Sequence, residues 1–252
     1  MLLKDKKISN LKLADTAAIV EGGKAHGEYG PQRAACVWRN FLKFLKDNGV
    51  KLPFDYRDIE IPKMPQLPVE YLTLDEINLL RDSIKTDDLA SLRTRALMEV
   101  LLDTGMRIGE AITLNKKDID WEKKEAVIKN IKSKEKEKVY FTDRSLSWIK
   151  KYLKRRKDNL EALFVSGRGR LLSVTARGFL RTHTKNLGLK KHICHHIFRK
   201  SFATHLIRNG ANLKDTQYLC RHKSERTTLR VYVGIEKENA KKTHQKILTK
   251  IF

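Results

Sequence analysis

Residues 194–233 read CHHIFRKSFATHLIRNGANLKDTQYLCRHKSERTTLRVYV, a stretch that carries several chemically capable side chains at short spacing. His196 and Arg199 are three positions apart, which places them about one turn apart on a helix. His222 follows a second segment of helical pattern, and Tyr232 lies ten positions further on. Histidine, arginine and tyrosine can each bind or react with a phosphate, so this stretch is predicted to hold much of a catalytic site.

A second stretch, residues 104–110, reads TGMRIGE and supplies one more arginine. An apolar stripe predicts a helix before it, and Gly105 is the left-handed residue that commonly ends a helix. Arg107 is therefore predicted at the start of the next helix, although an arginine at such a position is usually a solvated surface group. The stripe consists of Leu92, Ala96, Leu97, Val100 and Leu101.

The charge of the chain indicates a polyanionic partner. Its 252 residues include 53 Lys+Arg against 30 Asp+Glu, a formal net charge of +23, and ribosomal, chromatin and membrane-surface proteins share this balance. The three cysteines have no paired spacing, so neither a disulfide framework nor a zinc site is predicted, and a reducing, cytoplasmic setting is expected. Lysines interrupt the first apolar positions too early for a signal peptide, and no run approaches the roughly 18 apolar residues of a membrane span.

In their order and spacing, the two stretches resemble the tyrosine recombinase (phage-integrase-like) family of site-specific DNA recombinases. The resemblance covers roughly residues 70–235. Glu110 matches the family's acidic position that supports the first arginine, and Thr227-Thr228 matches the Thr-Thr pair before the tyrosine. The residues that match the family's catalytic positions are Arg107, His196, Arg199, His222 and Tyr232.

The sequence departs from the family pattern at several places. Leu219-Cys-Arg-His222 replaces the usual Leu-Gly-His, which removes a glycine from the turn and puts an extra arginine beside the site. One additional residue separates His222 from Tyr232, and Lys200 stands where a second histidine commonly follows the arginine. The amino-terminal part, about 70 residues, is short for the family's core-binding domain.

The resemblance implies cleavage of duplex DNA through a 3′-phosphotyrosine intermediate, without metal, ATP or any other cofactor. In-line attack by Tyr232 builds negative charge on the non-bridging phosphate oxygens. Arg107 and Arg199 are the predicted groups that meet this charge, because a guanidinium gives two parallel hydrogen bonds to a phosphate. His196 and His222 are predicted to accept the tyrosine proton or to hydrogen-bond the phosphate.

A lysine-rich hairpin is predicted to protonate the leaving 5′-oxygen. Ala126-Val-Ile128 and Val139-Tyr-Phe141 have the pattern of two strands, and residues 132–138 between them have the pattern of a turn. Lys134 is the predicted donor, although such a run is equally typical of a solvated turn. The open choice is among Lys132, Lys134 and Lys136.

The predicted fold is mainly α with a small antiparallel β-sheet: a tyrosine-recombinase-like catalytic domain preceded by a small helical domain. Residues 1–66 are predicted to form a short helical, core-binding-like DNA-binding domain with its linker, and residues 67–252 the catalytic domain. Scattered prolines over residues 50–72 indicate the linker. Thr73-Leu-Asp-Glu76 has the pattern of a capping box that starts a helix.

In the amino-terminal part, residues 34–45 have helical periodicity, and Asn48-Gly49 is predicted to end this helix. Aromatic residues at helical spacing are usually buried, so core packing is expected for them. The aromatic residues are Trp38, Phe41 and Phe44, and Val37 and Leu45 share the helical spacing.

The resemblance also implies double-stranded DNA as the partner and a homotetramer acting on two DNA sites. Residues 234–252 place apolar positions close to one helical face and lysines largely elsewhere, which predicts an amphipathic helix. This helix either packs on its own domain or docks on a neighbouring protomer. The expected location is the cytoplasm, associated with the nucleoid when DNA is bound.

Other classes of protein remain open at this level. A basic DNA-binding protein without catalysis explains the charge and leaves the set of Arg107, Arg199 and Tyr232 unexplained. A type IB topoisomerase uses similar chemistry. Only the resemblance of the H-x-x-R region to that of recombinases separates the two classes at this level. A metal-dependent nuclease needs clustered carboxylates, and the sequence contains no compelling set. The target site and the choice among integration, excision and chromosome-dimer resolution are not determined by the sequence.

Overall fold

The computed structural model describes residues 7–63, 69–129, 135–167, 169–185, 187–189 and 191–233, the side chains of Arg230, Tyr232 and Val233 excepted. The chain divides into two compact units, Met1–Leu67 and Pro68–Phe252. The described residues are mainly helical with a small antiparallel sheet, which confirms the predicted fold class. None of the helices in these ranges has the length and apolarity that a membrane crossing requires.

The first unit is built on two helices, α1 (Leu13–Gly22) and α2 (Gly30–Asp47). The helix predicted around residues 34–45 is confirmed, and it ends as predicted at Asn48. The predicted core packing is wrong for two of its three aromatic residues, because Phe41 and Phe44 are exposed, as is Val37.

The small core of the first unit uses the neighbouring face of α2. Leu42 is fully buried there, with Leu11 and Ile59 against it and Trp38 partly buried at its edge. Apolar residues occupy two adjacent faces of α2, so the helical period alone does not select between them. The chain segments before and after the helix decide which face becomes the core.

Much of the predicted linker is packed rather than extended. Leu52, Phe54 and Tyr56 pack with Ile59 against the core of the first unit. At the other end, Leu72 is fully buried in the core of the second unit. The described parts of residues 50–72 contain one short 3₁₀ helix and no longer helix, and the prolines carry no information on the burial of the apolar residues between them.

The second unit contains the remaining elements that the structure describes. Its helices are α3 (Leu74–Ser83), α4 (Leu89–Thr104), α5 (Ile108–Thr113), α6 (Asp143–Arg155), α7 (Ser173–Thr184), α8 (His195–Arg208), α9 (Leu213–Cys220) and α10 (Glu225–Val233). Its strands are β1 (Ile119–Asp120), β2 (Glu125–Lys129), β3 (Lys136–Tyr140), β4 (Val165–Ser166) and β5 (Gly169–Arg170).

Local signals in the sequence set the boundaries of α3 and α4. The Thr73 hydroxyl accepts from the Glu76 backbone N–H at 3.2 Å, and the Glu76 carboxylate accepts from the Thr73 N–H at 2.7 Å, so the predicted capping box is confirmed. Gly105 ends α4 in the left-handed conformation, at φ 58°. The apolar stripe predicted for α4 is buried throughout, and α4 packs against α6 and α8 as the central helix of the unit.

The predicted hairpin is confirmed as the antiparallel pair β2 and β3, with β1 on the other side of β2. Lys136 and Lys138 lie in β3, so the lysine-rich run belongs partly to a strand and not only to a turn. Lys132 and Lys134 lie outside the described residues, as does the amphipathic helix predicted for residues 234–252.

Candidate active site

Arg107 lies at the N-terminus of α5, as predicted, where a tight turn follows α4. Gly105 is required in this turn because a Cβ there would lie 2.3 Å from the Phe202 ring, in addition to its left-handed backbone. The Arg107 guanidinium donates from Nη1 to Glu110 Oε1 at 2.8 Å, and its backbone N–H donates to Glu110 Oε2 at 2.8 Å. Its side chain remains 43% exposed, so donors of the guanidinium are accessible to a ligand.

Glu110 is the buried carboxylate that holds Arg107. Its side chain is 1% exposed. Burial by itself raises the pKa of Glu110, but the hydrogen bonds from Arg107 and the positive charge of Arg221 lower that pKa overall. Glu110 is therefore ionised at neutral pH and fixes the direction of the guanidinium.

Arg199 lies in the second turn of α8 and is 4% exposed. Its guanidinium donates from Nη1 to the Gly105 carbonyl at 2.7 Å and from Nη2 to the Cys220 carbonyl. These carbonyls come two residues before Arg107 and two residues before His222, so Arg199 holds both neighbouring loops. Burial, followed by the charges of Arg107 and Arg221, lowers the pKa of Arg199 to about 10, which leaves it positively charged at neutral pH.

The two predicted histidines lie close to these arginines. His196 is exposed at the N-terminus of α8, and its pKa is lowered by partial desolvation of the ring and by the charges of Arg199, Lys200 and Arg107. His222 follows α9, and burial and the charges of Arg199, Arg107 and Arg221 lower its pKa to about 4. Both imidazoles are therefore neutral at pH 7 in the free protein and can accept a proton.

His222 is oriented by contacts on two sides. Its Nδ1 is 2.8 Å from the Thr228 hydroxyl, and its backbone N–H donates to the Gln217 carbonyl at 3.0 Å. Thr228 is fully buried in α10, the helix whose last turn contains Tyr232. The structure thus joins the histidine to the helix that carries the predicted nucleophile, and leaves Nε2 of His222 for another partner.

Four of the six predicted site residues are brought together by the described part of the chain: Arg107, His196, Arg199 and His222. The backbone of Tyr232 lies in α10, and its side chain is not among the parts of the chain that the structure describes. Lys134 lies outside the described residues, although both strands of its hairpin are described.

The similarity of the sequence to known proteins decides the family. The model of the phage integrase family matches residues 70–239, the larger part of the chain, and this segment contains every predicted site residue. The chain belongs to the phage integrase family. The prediction of a tyrosine-type site-specific recombinase, an enzyme that breaks and rejoins DNA, is thereby confirmed.

Relatives and solved structures agree with this membership. The integrase is 34% identical over 225 residues to tyrosine recombinase XerD of Corynebacterium glutamicum, covering 86% of this chain and 73% of the relative. It is 29% identical over 236 residues to tyrosine recombinase XerC of Chlamydia pneumoniae, covering 91% and 74%. Its fold is similar to that of XerH recombinase bound to palindromic difH substrate in a post-cleavage complex, with a TM-score of 0.75 and 19% identity over 97% of this chain and 75% of that one.

The integrase has a further buried arginine beside these residues that was noted in the sequence without a role. Arg221 follows α9 in the left-handed conformation, with φ 52° and ψ 49°. Its N–H donates to the Tyr218 carbonyl and the N–H of His222 to the Gln217 carbonyl, the two hydrogen bonds of a Schellman motif. Glycine usually occupies this position, since the left-handed backbone costs other L-residues about 1–2 kcal/mol.

The buried histidines predict how the stability of the free integrase depends on pH. The pKa of His195 and of His222 is about 4 in the folded protein against an ordinary value of 6.5. Between these values the unfolded chain binds more protons than the folded one, so the free energy of unfolding falls as the pH drops from 6.5 toward 4 and is fully present above 6.5. Thermal melts across this range should therefore show a decreasing melting temperature.

The variant His195→Gln should reduce this pH dependence, because it removes one group that the folded state keeps neutral. His192→Gln is the matched control, since His192 is exposed. A melting temperature that is constant between pH 6.5 and 4.5, or an equal effect of the two variants, contradicts the assignment.

Proposed function

We propose that this integrase cleaves and rejoins duplex DNA at specific sites through Tyr232. The phenolic oxygen attacks the scissile phosphorus as the bond from phosphorus to the 5′-oxygen breaks, which leaves a 3′-phosphotyrosine and a free 5′-hydroxyl. Attack of a 5′-hydroxyl on this phosphotyrosine reverses the chemistry and reseals a strand. The energy of the phosphodiester is retained in the phosphotyrosine, so the reaction proceeds without ATP. In the proposed chemistry the arginines, and not a metal, meet the charge on the phosphate.

The observation that carries this proposal is the concentration of fixed positive charge around one buried carboxylate. Arg107, Arg199 and Arg221 surround Glu110, and within the described chain the guanidinium hydrogen bonds of Arg199 go to backbone carbonyls instead of a carboxylate. Such a site has an excess of positive charge that is already oriented before a ligand arrives. Preorganised donors of this kind stabilise the charge that develops on a phosphate in the transition state.

The histidines support the proton transfers that the reaction needs. His196 and His222 are neutral at pH 7, so either can accept the tyrosine proton as attack proceeds. After proton transfer the imidazolium is close to a phosphate that carries negative charge, which offsets the repulsion from the arginines. Thr228 fixes the orientation of His222 from the same helix that contains Tyr232.

Lys134 is the proposed general acid for the leaving 5′-oxygen. We expect Lys134→Ala to slow cleavage of ordinary DNA and to recover on a substrate with a 5′-phosphorothiolate at the scissile position, because a thiolate leaves without a proton. The measurement is the single-turnover rate of adduct formation on both substrates, with Lys132→Ala and Lys136→Ala as matched controls. Equal defects on both substrates assign Lys134 to DNA binding instead.

The proposed partner is double-stranded DNA, bound by four protomers on two sites in the cytoplasm, at the nucleoid. The amino-terminal unit is the proposed second DNA-binding domain. The net charge of +23 supports tight binding that weakens with salt, and the XerH structure is one of a recombinase bound to a DNA substrate. The mass of the complex with DNA that contains two sites, measured by light scattering, tests the tetramer; a complex of one protomer per site and no pairing of sites contradicts it.

A covalent trap tests the proposed reaction. Incubation with nicked fragments of genomic DNA, in which the strand beyond the cleavage point diffuses away, should leave the protein covalently attached to DNA 3′ ends in the presence of EDTA. Mass spectrometry of the adduct should place the nucleotide on Tyr232, and sequencing of the trapped DNA gives the target. Failure to trap DNA, or cleavage that EDTA abolishes, overturns the proposal, whereas relaxation of plasmids of any sequence indicates a topoisomerase.

A further inference from the structure

Arg221 makes contacts on two sides of the proposed active site. Its Nη2 donates to Glu110 Oε2 at 3.2 Å, and its Nε lies 3.6 Å from Glu137 Oε2 in an ion pair. Its Nη1 donates to the Leu219 carbonyl at 3.0 Å and to the Thr104 carbonyl at 3.4 Å. The side chain is only 4% exposed, so these contacts are made away from solvent and are little screened by salt.

Glu137 is an unusual residue for its place in β3. Side chains alternate between the two faces of a strand, and Glu137 shares a face with Val139, which is 2% exposed. The Glu137 side chain is itself 24% exposed, and turning a carboxylate toward the buried face of a strand is unfavourable unless positive charge meets it there. Arg221 provides that charge from the end of α9.

The backbone at Arg221 also indicates that the side-chain contacts of this residue matter. A glycine fits the left-handed position at the end of α9 without strain, and this chain has an arginine there instead. The strain is compatible with a stable fold when the side chain makes favourable contacts that a glycine lacks. Those contacts join Glu110, which holds Arg107, to Glu137, which lies on the hairpin.

We propose that Arg221 is a positioning residue that fixes strand β3 relative to the arginines that receive the scissile phosphate. The inference rests on the function proposed above and specifies one of its parts. Glu110 already has two hydrogen bonds from Arg107, so Arg107 keeps its place without Arg221. The end of β3 near the turn is where the contact with Arg221 matters, because the general acid is proposed to lie on that hairpin.

The proposal predicts a defect in protonation of the leaving group. Arg221→Gly suits the left-handed backbone, and Glu137→Gln keeps the shape of the side chain and leaves the ion pair between Arg221 and Glu110 intact. Each should slow single-turnover adduct formation on ordinary DNA roughly tenfold to a hundredfold, the effect of a misplaced catalytic group. The double variant should be no slower than the slower single variant, because both remove the same contact.

Two comparisons separate this role from a general structural one. On a 5′-phosphorothiolate substrate Glu137→Gln, which leaves all three arginines in place, should react at nearly the wild-type rate, and its affinity for DNA should be unchanged. Glu125→Gln is the matched control, because Glu125 is in β2 of the same hairpin and pairs at 2.8 Å with Lys138, on the opposite face of β3 from Glu137. This control should cleave ordinary DNA at close to the wild-type rate.

Several results overturn the proposal. A wild-type rate for Glu137→Gln, additive losses in the double variant, or the same loss in Glu125→Gln each show that the contact with Arg221 does not position the hairpin. Equal losses of Glu137→Gln on the two substrates assign the effect to the arginines instead. Failure of the proposed function is distinguishable from all of these, since the wild-type protein then forms no adduct on either substrate. If Arg221→Gly does not fold, the rates of Glu137→Gln on the two substrates still test the proposal.

Discussion

Tyr232→Phe is expected to bind duplex DNA with wild-type affinity and to form no covalent adduct. The substitution removes one oxygen atom, the proposed nucleophile, and keeps the ring and the backbone of α10. Attachment should fall below detection rather than by a modest factor, because no other step of the reaction can form the bond to DNA. The measurement is the fraction of labelled suicide DNA that remains attached to protein after denaturation, alongside a binding isotherm.

The matched control for this variant is Tyr218→Phe. Tyr218 is 63% exposed on α9, and its hydroxyl is hydrogen-bonded to that of Tyr140, which together with burial raises the pKa of Tyr140. These two phenols are alternative tyrosines among the described residues, and the raised pKa disfavours Tyr140 as a nucleophile. If Tyr232→Phe still forms the covalent adduct, or if Tyr218→Phe does not form it, the nucleophile is a residue other than Tyr232.

Loss of either proposed phosphate ligand should lower the cleavage rate by at least about a hundredfold, the usual effect of removing a preorganised transition-state donor. For Arg107 the informative variant is Arg107→Ala, since this side chain is 43% exposed and its removal leaves the core intact. For Arg199 it is Arg199→Lys, because alanine leaves a cavity between the Gly105 and Cys220 carbonyls. Lysine keeps the charge but not the planar fork, so the rate should still fall.

The rate of adduct formation at saturating DNA separates these effects from binding. A variant that loses transition-state stabilisation has a low rate even when all the DNA is bound. Lys117→Ala is the matched control, because it removes one positive charge from a side chain that is 70% exposed and pairs with Glu161. Near-normal cleavage by Arg107→Ala or Arg199→Lys removes that residue from the proposed site.

The sequence was most informative where structure depends on neighbouring residues. The capping box at Thr73, the glycine that ends α4 and the alternation of β2 and β3 each follow from contacts within a few positions. The position of Arg107 at the start of α5 follows in the same way. Local patterns gave a wrong prediction where they fit two arrangements equally well, as for the two apolar faces of α2, either of which could have been buried.

What the sequence by itself determined is therefore the order of the helices, the hairpin and the types of residue available to act on a phosphate. Only the tertiary structure decided which of them meet. The hydrogen bond from Arg199 to the Gly105 carbonyl joins residues 94 positions apart, and the one from Arg221 to Glu110 joins residues 111 positions apart. No local period encodes such pairs, because they form only when α4, α8 and α9 pack around one core. The left-handed backbone at Arg221 and its contact with Glu137 belong to the same class, since their burial depends on elements far away in the chain.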